Sequence, residues 1–396
     1  MKLTILGSTG SIGTSTLDVV RRHGDRFQVY ALAAGRNVDV LVSQIVEFRP
    51  SVVAVPDEAA REALENRLRS STLSAKDWPE LTAGPSARVA AAIAPEVDFV
   101  MSAIVGVAGL EATFKAITKK KRIGLANKEV LVASGRLVME AVRTSGAEMI
   151  PVDSEHNGAH QCLRAGLRRE VTRLLLTASG GPFRETPMED LWSVTPAQAL
   201  NHPTWKMGKR ITIDSATMMN KGFEVIEACW LFDLPAKQVD VVVHPQSSIH
   251  AMVEYNDGSL IAQISTTDMR MPIQYAMTYP DRDEAPVPRL NWNQARNWTF
   301  EPPDFEKFRL LKLAYSSQEQ GGSATCTLNA ADEVAVEAFL EGRIAFPAIA
   351  EVVEETLTRQ PWRQPATIEE VIAIDQESRQ LACRIVDERR RAVVSV

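Results

Sequence analysis

Lys2-Leu3-Thr4-Ile5-Leu6-Gly7-Ser8-Thr9-Gly10-Ser11-Ile12-Gly13 is an apolar run that breaks into a glycine-rich turn. The run reads as a strand, and a helix is expected from about Ser11. Strand, glycine turn and helix form the context of a dinucleotide fingerprint. Glycines let the backbone approach a pyrophosphate, and the helix N-terminus offers N–H groups and partial positive charge. The spacing is GxxGxxG, not GxGxxG, so a tight turn without a ligand stays open on the loop alone. Its place directly after the first strand favours the nucleotide.

Outward from this stretch, Gln28–Ala33, Val52–Val55, Asp98–Ile104 and Ile123–Ala126 read as further strands, each followed by a helix-like or loop segment. Such alternation predicts a parallel sheet with helices on both faces. A strand near Glu148–Val152 leads out of it. An NAD site places an acid near the end of the second strand, on the ribose 2′-hydroxyl. Here the chain reads Ala33-Ala34-Gly35-Arg36-Asn37. A guanidinium suits a 2′-phosphate, so NADP is preferred to NAD; a surface arginine is the alternative.

The middle of the chain is different in kind. Arg173–Ser179, Arg210–Asp214 and Val239–Val243 read as strands, and Asn256-Asp257-Gly258 is a hairpin turn between His250–Tyr255 and Ser259–Ile264. Pro280, Pro286, Pro288, Pro302 and Pro303 mark a linker. Leu310–Gln318, Asn329–Glu341, Phe346–Arg359 and Ile368–Arg391 read as helices. The expected fold is α/β: an N-terminal Rossmann-like parallel sheet over residues 1–150, a central α+β catalytic domain over 151–279 with a lid loop near 202–208, a proline-rich linker over 280–308, and a C-terminal helical bundle over 309–396.

Composition narrows the function classes. With 396 residues the chain has length for more than one domain. Lys and Arg number 44 against 50 Asp and Glu, a net charge of −6, which argues against a non-specific nucleic-acid binder. Cys162, Cys229, Cys326 and Cys383 form no CxxC pair, so reduced thiols are expected. Phe99–Leu110 is the longest uncharged apolar stretch and falls short of the roughly 20 residues of a membrane span. Met1–Leu6 runs straight into the glycine turn and leaves no room for a signal peptide. A cytoplasmic protein is expected.

Two segments carry acids. In Pro151-Val152-Asp153-Ser154-Glu155-His156, extended chain places residues i and i+2 on one side, so Asp153 and Glu155 aim at one point. A cation between them relieves their repulsion, and hard oxygen donors suit Mg²⁺ or Mn²⁺. A pair of solvated or salt-bridged acids is the other reading. In Asp214-Ser215-Ala216-Thr217-Met218-Met219-Asn220-Lys221-Gly222-Phe223-Glu224, a helix puts Asn220, Lys221 and Glu224 on one face; a surface ion pair is the alternative. Ser179-Gly180-Gly181 and Ser215 are small hydroxyls beside permissive backbone, suited to phosphate oxygens. Asn201-His202-Pro203-Thr204-Trp205-Lys206-Met207-Gly208 has the composition of a water-excluding lid. His23, His160 and His244 are expected to be structural or exposed.

Together these motifs resemble the 1-deoxy-D-xylulose 5-phosphate reductoisomerase family: GSTGSIG at 7–13, AAGRN at 33–37, LANKE at 125–129, PVDSEHN at 151–157, ASGGPFRE at 178–185, HPTWKMG at 202–208, DSATMMNKGFE at 214–224 and HPQSSIH at 244–250. The resemblance spans essentially the whole chain. It implies an NADPH- and divalent-metal-dependent oxidoreductase of isoprenoid precursor synthesis, which rearranges and reduces 1-deoxy-D-xylulose 5-phosphate to 2-C-methyl-D-erythritol 4-phosphate. It implies that Thr9, Gly10, Ser11, Ile12, Gly35, Arg36, Asn37, Asn127, Glu129 and Gly208 hold NADPH, and that Asp153, Glu155 and Glu224 bind Mg²⁺ or Mn²⁺. Lys128, Ser154, Glu155, Ser179, His202, Ser215, Asn220, Lys221 and Glu224 are implied for the phosphorylated sugar, with Trp205 closing over it. Catalysis is assigned to Asp153, Glu155, Glu224, Lys128 and His202. The family implies a homodimer, with no nucleic-acid or membrane partner. Two alternatives are another NADP-dependent oxidoreductase of a phosphorylated carbonyl compound and a metal-dependent aldolase. The first, as a semialdehyde dehydrogenase, needs an activated cysteine that no motif here supplies. The second has no use for the glycine turn.

Overall fold

Six βα repeats open the chain: β1 (Lys2–Leu6), α1 (Ser11–Arg22), β2 (Gln28–Ala33), α2 (Val38–Phe48), β3 (Val52–Val55), α3 (Glu58–Arg69), β4 (Glu80–Ala83), α4 (Pro85–Ile93), β5 (Phe99–Ser102), α5 (Leu110–Thr118), β6 (Arg122–Leu125) and α6 (Glu129–Ser145). They are followed by β7 (Met149–Pro151) and α7 (Ser154–Cys162). This computed structural model describes residues 1–205 and 207–394, the side chains of 391–394 excepted. β1 to β7 form one parallel sheet in the order β4-β3-β2-β1-β5-β6-β7. The order reverses beside β1, and open α/β sheets bind ligands at that switch point. β1 and β5 are short runs buried on both faces, as parallel strands covered by helices must be. β4 was not foreseen: it is an edge strand of half-buried residues with no continuous apolar run to announce it.

The second sheet is built from β8 (Val171–Ala178), β9 (Val239–Val243), β10 (Ile249–Tyr255) and β11 (Leu260–Ile264) in the order β11-β10-β8-β9. β10 pairs antiparallel with β11 through the expected hairpin and with β8, whereas β8 and β9 are parallel. Between β8 and β9 lie α8 (Pro196–Ala199), α9 (Lys209–Ala216) and α10 (Met219–Phe232); α11 (Arg270–Thr278) follows β11. The expected strand at Arg210–Asp214 is the body of α9. Its alternating Ile211 and Ile213 fit a strand, but five residues fit either period. Gly208 opens the helix, Ile213 and Ala216 bury one helical stripe, and Arg210 meets Asp214 one turn on at 3.6 Å. The tail is helical as expected: α12 (Arg309–Gln320), α13 (Ala324–Leu340), α14 (Ala348–Arg359) and α15 (Ile368–Val394).

The chain divides into two compact units. Unit 1 comprises residues 1–130, 138–157 and 268–289; unit 2 comprises 131–137, 158–267 and 290–396. In unit 1 Leu3, Ile5, Phe99, Met101 and Ile150 of the sheet pack with Leu17, Leu41, Ile45 and Ile273 of the helices. Unit 2 packs around two of its apolar clusters among the described residues. One joins Ile213 and Phe223 to Leu328, Phe339, Ile349 and Ile385 of the tail helices; the other covers the second sheet with Leu174, Val225, Val239, Val253 and Leu311. α6 leaves helical geometry at Ser134 (φ −143°, ψ 25°), within residues 131–137 that belong to unit 2.

Candidate active site

In unit 1 the glycine turn is dictated by close approach. Gly7 has φ +91°, and a Cβ there falls 2.5 Å from the Ala103 carbonyl oxygen. A Cβ on Gly13 falls 2.3 Å from the Gly7 oxygen, so the α1 backbone rests directly on the turn. The α2 side chain of Gln44 donates to the Ser8 carbonyl at 2.8 Å and pins the turn from behind; only its burial, not its sequence context, marks it. Gly10 stands at the N-cap of α1, which has no side-chain cap and no acid in its first turn. That terminus presents N–H groups and dipole to an anion. Gly35 and Arg36 follow β2. Arg36 is 84% exposed on its side chain, 3.5 Å from Asp57, so it reaches outward from a solvated loop. Asn37 caps α2, accepting from the Val40 N–H at 3.3 Å.

Asn127, Lys128 and Glu129 join β6 to α6, all buried. The Asn127 side-chain NH₂ donates to the Ile104 carbonyl and, at 3.0 Å, to that of Gly106. Two carbonyl partners fix which end of the amide is nitrogen. Its oxygen is then left buried without a donor among the described residues. The Lys128 ammonium sits 2.7 Å from Asp153 Oδ2.

Asp153 and Glu155 come together, but not by strand alternation. The chain turns into α7 at Ser154, and Asp153 sits just before it, where its carbonyl accepts from the Asn157 N–H at 2.8 Å and Oδ1 from the Glu155 N–H at 3.3 Å. Glu155 lies in the first turn with Ser154 Oγ donating to Oε2 at 2.7 Å. Helix entry thus brings the carboxylate oxygens of Asp153 and Glu155 within 4.8 Å of one another. Hard oxygen donors at that spacing fit a small divalent cation.

In unit 2, β8 is followed by Ser179-Gly180-Gly181. The glycines have φ +81° and +67°, and a Cβ on Gly181 falls 2.7 Å from the Ser215 carbonyl, so this turn lies against the end of α9. His202 Nε2 stands 3.0 Å from both Ser179 Oγ and Ser215 Oγ. Its Nδ1 accepts from the backbone N–H groups of Thr204 and Trp205 at 3.2 and 3.0 Å. A nitrogen that accepts carries a lone pair, so the ring is neutral with its proton on Nε2. Burial favours that state and lowers the His202 pKa from 6.5. Three sequence-selected residues thus form one cluster. Trp205 lies 6.5 Å from the His250 ring, an aromatic partner that its motif quoted but did not assign. Lys206 of the lid motif lies outside the described residues. Gly208 caps α9, its carbonyl accepting from Thr212.

Met218 turns the chain from α9 into α10 with φ +63°. On α10 the expected helical face forms: Asn220 Nδ2 donates to Glu224 Oε1 at 2.6 Å and Lys221 Nζ to Glu224 Oε2. Lys221 and Glu224 are buried, which removes the surface-pair reading. Each carboxylate oxygen has a second lone pair, so Glu224 keeps both donors and retains capacity for a ligand.

Family models match three stretches of the chain. Residues 3–135 match 1-deoxy-D-xylulose 5-phosphate reductoisomerase, 149–232 match its C-terminal domain, and 264–381 match the DXP reductoisomerase C-terminal domain. The reductoisomerase of Solibacter usitatus is 64% identical over 393 residues, covering 99% of each chain. That of Chlorobaculum tepidum is 50% identical, covering 97% of this chain and 99% of the relative. The solved reductoisomerase of Zymomonas mobilis in complex with NADPH is 45% identical, with TM-score 0.89 over 97% of this chain and 98% of that one. A DOX-P reductoisomerase bound to NADPH, fosmidomycin and magnesium is 38% identical, with TM-score 0.90 over 98% of both.

Proposed function

The chain belongs to the 1-deoxy-D-xylulose 5-phosphate reductoisomerase family, and on that premise we propose how its own residues carry the family's reaction. The enzyme rearranges 1-deoxy-D-xylulose 5-phosphate and reduces the product to 2-C-methyl-D-erythritol 4-phosphate, using NADPH and a divalent cation, magnesium or manganese. When bound, the cation supplies Lewis-acid polarisation of the substrate ketone, and NADPH supplies the hydride.

The NADPH set is Thr9, Gly10, Ser11, Ile12, Gly35, Arg36, Asn37, Asn127, Glu129 and Gly208. The uncapped α1 terminus suits the pyrophosphate. Arg36, outward-facing and only loosely paired, suits the 2′-phosphate. The donorless buried oxygen of Asn127 suits a carboxamide N–H such as that of nicotinamide. Asp153, Glu155 and Glu224 are the metal ligands. Lys128, Ser154 and Glu155 orient the oxygenated carbons, and Lys128 balances the Asp153 charge at 2.7 Å. Ser179, His202, Ser215, Asn220 and Lys221 take the phosphate. The neutral His202 offers its Nε2 proton between two hydroxyls, a set of donors for anionic oxygens. Residues 202–208 close over the substrate and exclude water. In functional terms residues 1–150 serve the nucleotide, 151–279 the metal and substrate, 280–308 link, and 309–396 support.

The observation that carries this assignment is the Asp153–Glu155 pair, whose helix-entry geometry presents two hard-oxygen donors to one point. We place the enzyme in the cytoplasm as a homodimer. Its four cysteines are free thiols, and edge strand β11 exposes Leu260 and Ile261, apolar surface that a second copy would cover. The deciding assay follows NADPH absorbance with 1-deoxy-D-xylulose 5-phosphate after chelation, then with Mg²⁺ or Mn²⁺ restored. Metal-dependent oxidation that E224Q abolishes supports the assignment; undiminished turnover in E224Q removes Glu224 from the ligand set.

A further inference from the structure

A buried charge cluster in unit 2 has no part in the assignments above. Asp332 on α13 is 0% exposed, and neither of its carboxyl oxygens receives a conventional N–H or O–H donor among the described residues. Its carboxyl instead meets that of Asp214 on α9, a contact that is a hydrogen bond only when the pair holds a proton. The Arg210 guanidinium, one turn before Asp214 on α9, lies 3.6 Å from Asp214, 3.9 Å from Asp332 and 2.8 Å from Glu333, and donates to Asn329 at 3.0 Å. Arg379 on α15 joins Glu333 at 2.7 Å and Asp375 at 2.6 Å. On α10, Phe223 lies under the Arg210 guanidinium. The cluster therefore sets two guanidinium groups against the four carboxyls of Asp214, Asp332, Glu333 and Asp375. Within it Asp214 and Asp332 are the deeply buried pair, at 4% and 0% exposure, and two unprotonated carboxyls in contact there are costly.

We propose that Asp332 is a positioning residue for the phosphate end of the site: its shared proton with Asp214 clamps α9 to α13 and so holds Ser215, the next residue on α9, against His202 and Ser179. The clamp also anchors the helix into which residues 202–208 run. This rests on the assignment of Ser215 to substrate phosphate. Burial, with Asp214 beside it, pushes the Asp332 carboxyl well above the usual carboxylate range, and burial raises Asp375 as well. Cys326 on α13 adds no charge, because burial raises its thiol. Since the folded pKa of Asp332 is raised, the clamp is intact below that value and is lost as pH rises through it.

The test compares wild type, D332N, D332A and S215A by substrate KM, NADPH KM and kcat across neutral to alkaline pH. D332N supplies an uncharged donor of the same shape. It is expected to stay within about twofold of wild type below the Asp332 pKa and to remove the rise in substrate KM expected of wild type as pH passes through that value. D332A is expected to raise substrate KM roughly tenfold, with NADPH KM unchanged, as a small displacement of a binding group does. Should D332A fail to fold, the D332N pH profile decides alone. A D332N profile that follows wild type at every pH overturns the proposal, as does a folded D332A with wild-type substrate KM beside an S215A in which it is raised. An S215A enzyme of wild-type substrate KM overturns the phosphate assignment, and the clamp's catalytic purpose falls with it.

Discussion

Single residues carry the discrimination between close alternatives. Arg36 is the only cation in Ala33–Asn37, and its exposed side chain pairs only loosely with Asp57 at 3.5 Å. R36A should raise the NADPH KM by roughly tenfold, the scale of one lost charge-assisted contact, and leave that for NADH nearly unchanged. Equal losses for both nucleotides would show that Arg36 does not read the 2′-phosphate. His202 makes a pH prediction. Its Nδ1 accepts two backbone N–H groups, which needs the neutral ring. The folded state therefore resists protonation, and the arrangement is fully present above pH 6.5 and lost as pH falls below it toward the lowered folded value. Substrate KM should rise on acidification through that window, and H202N should flatten this limb. The substitution E224Q should cut kcat/KM roughly a hundredfold or more while NADPH affinity, read by fluorescence titration, holds. These proposed roles rest on motif positions. The tautomer of His202 does not, because it depends on backbone donors that exist only once the loop has folded.

At the scale of elements, local signals worked where one period could be read and failed where a segment was too short. The βα repeats other than that of β4, and the tail helices, were legible because each buries a whole face. The Ile211/Ile213 alternation misled, since α9 is decided by its packing on α10 and α13 and by the Arg210–Asp214 pair one turn apart. Asp153 and Glu155 were paired for the wrong reason: entry into α7, not an extended chain, brings them together. The glycine turn is the element most open to a direct test. A Cβ on Gly13 meets the Gly7 and Ser8 carbonyl oxygens at 2.3 and 2.4 Å, and backbone has little room to yield. G13A should therefore lower the thermal midpoint, at a cost of about 1–3 kcal/mol, and abolish tight NADPH binding. A G13A protein with wild-type melting and affinity would mean that α1 does not rest on this turn.

For the molecule as a whole, each unit has its own apolar core, and none of these cores includes the acids assigned to the metal. Chelation should then stop turnover while far-ultraviolet circular dichroism and the thermal midpoint stay close to those of the untreated enzyme, and added Mg²⁺ or Mn²⁺ should restore activity. Unfolding on chelation would make the cation structural. Unit 1 is assembled from three separate stretches of chain, with α11 of residues 268–289 packed beside α1. No linear pattern announces that return. Sequence by itself determined the parallel sheet, the glycine turn that opens α1, the helical tail and the family to which the motifs belong, because these depend on periodicity and on chemistry local to each motif. Only tertiary structure decided that Lys221 and Glu224 are buried, that Ser179, His202 and Ser215 meet, and that Asp214 shares a dry interior with Asp332. Contact between residues far apart in the chain, and the dielectric that surrounds them, arise only when the elements pack.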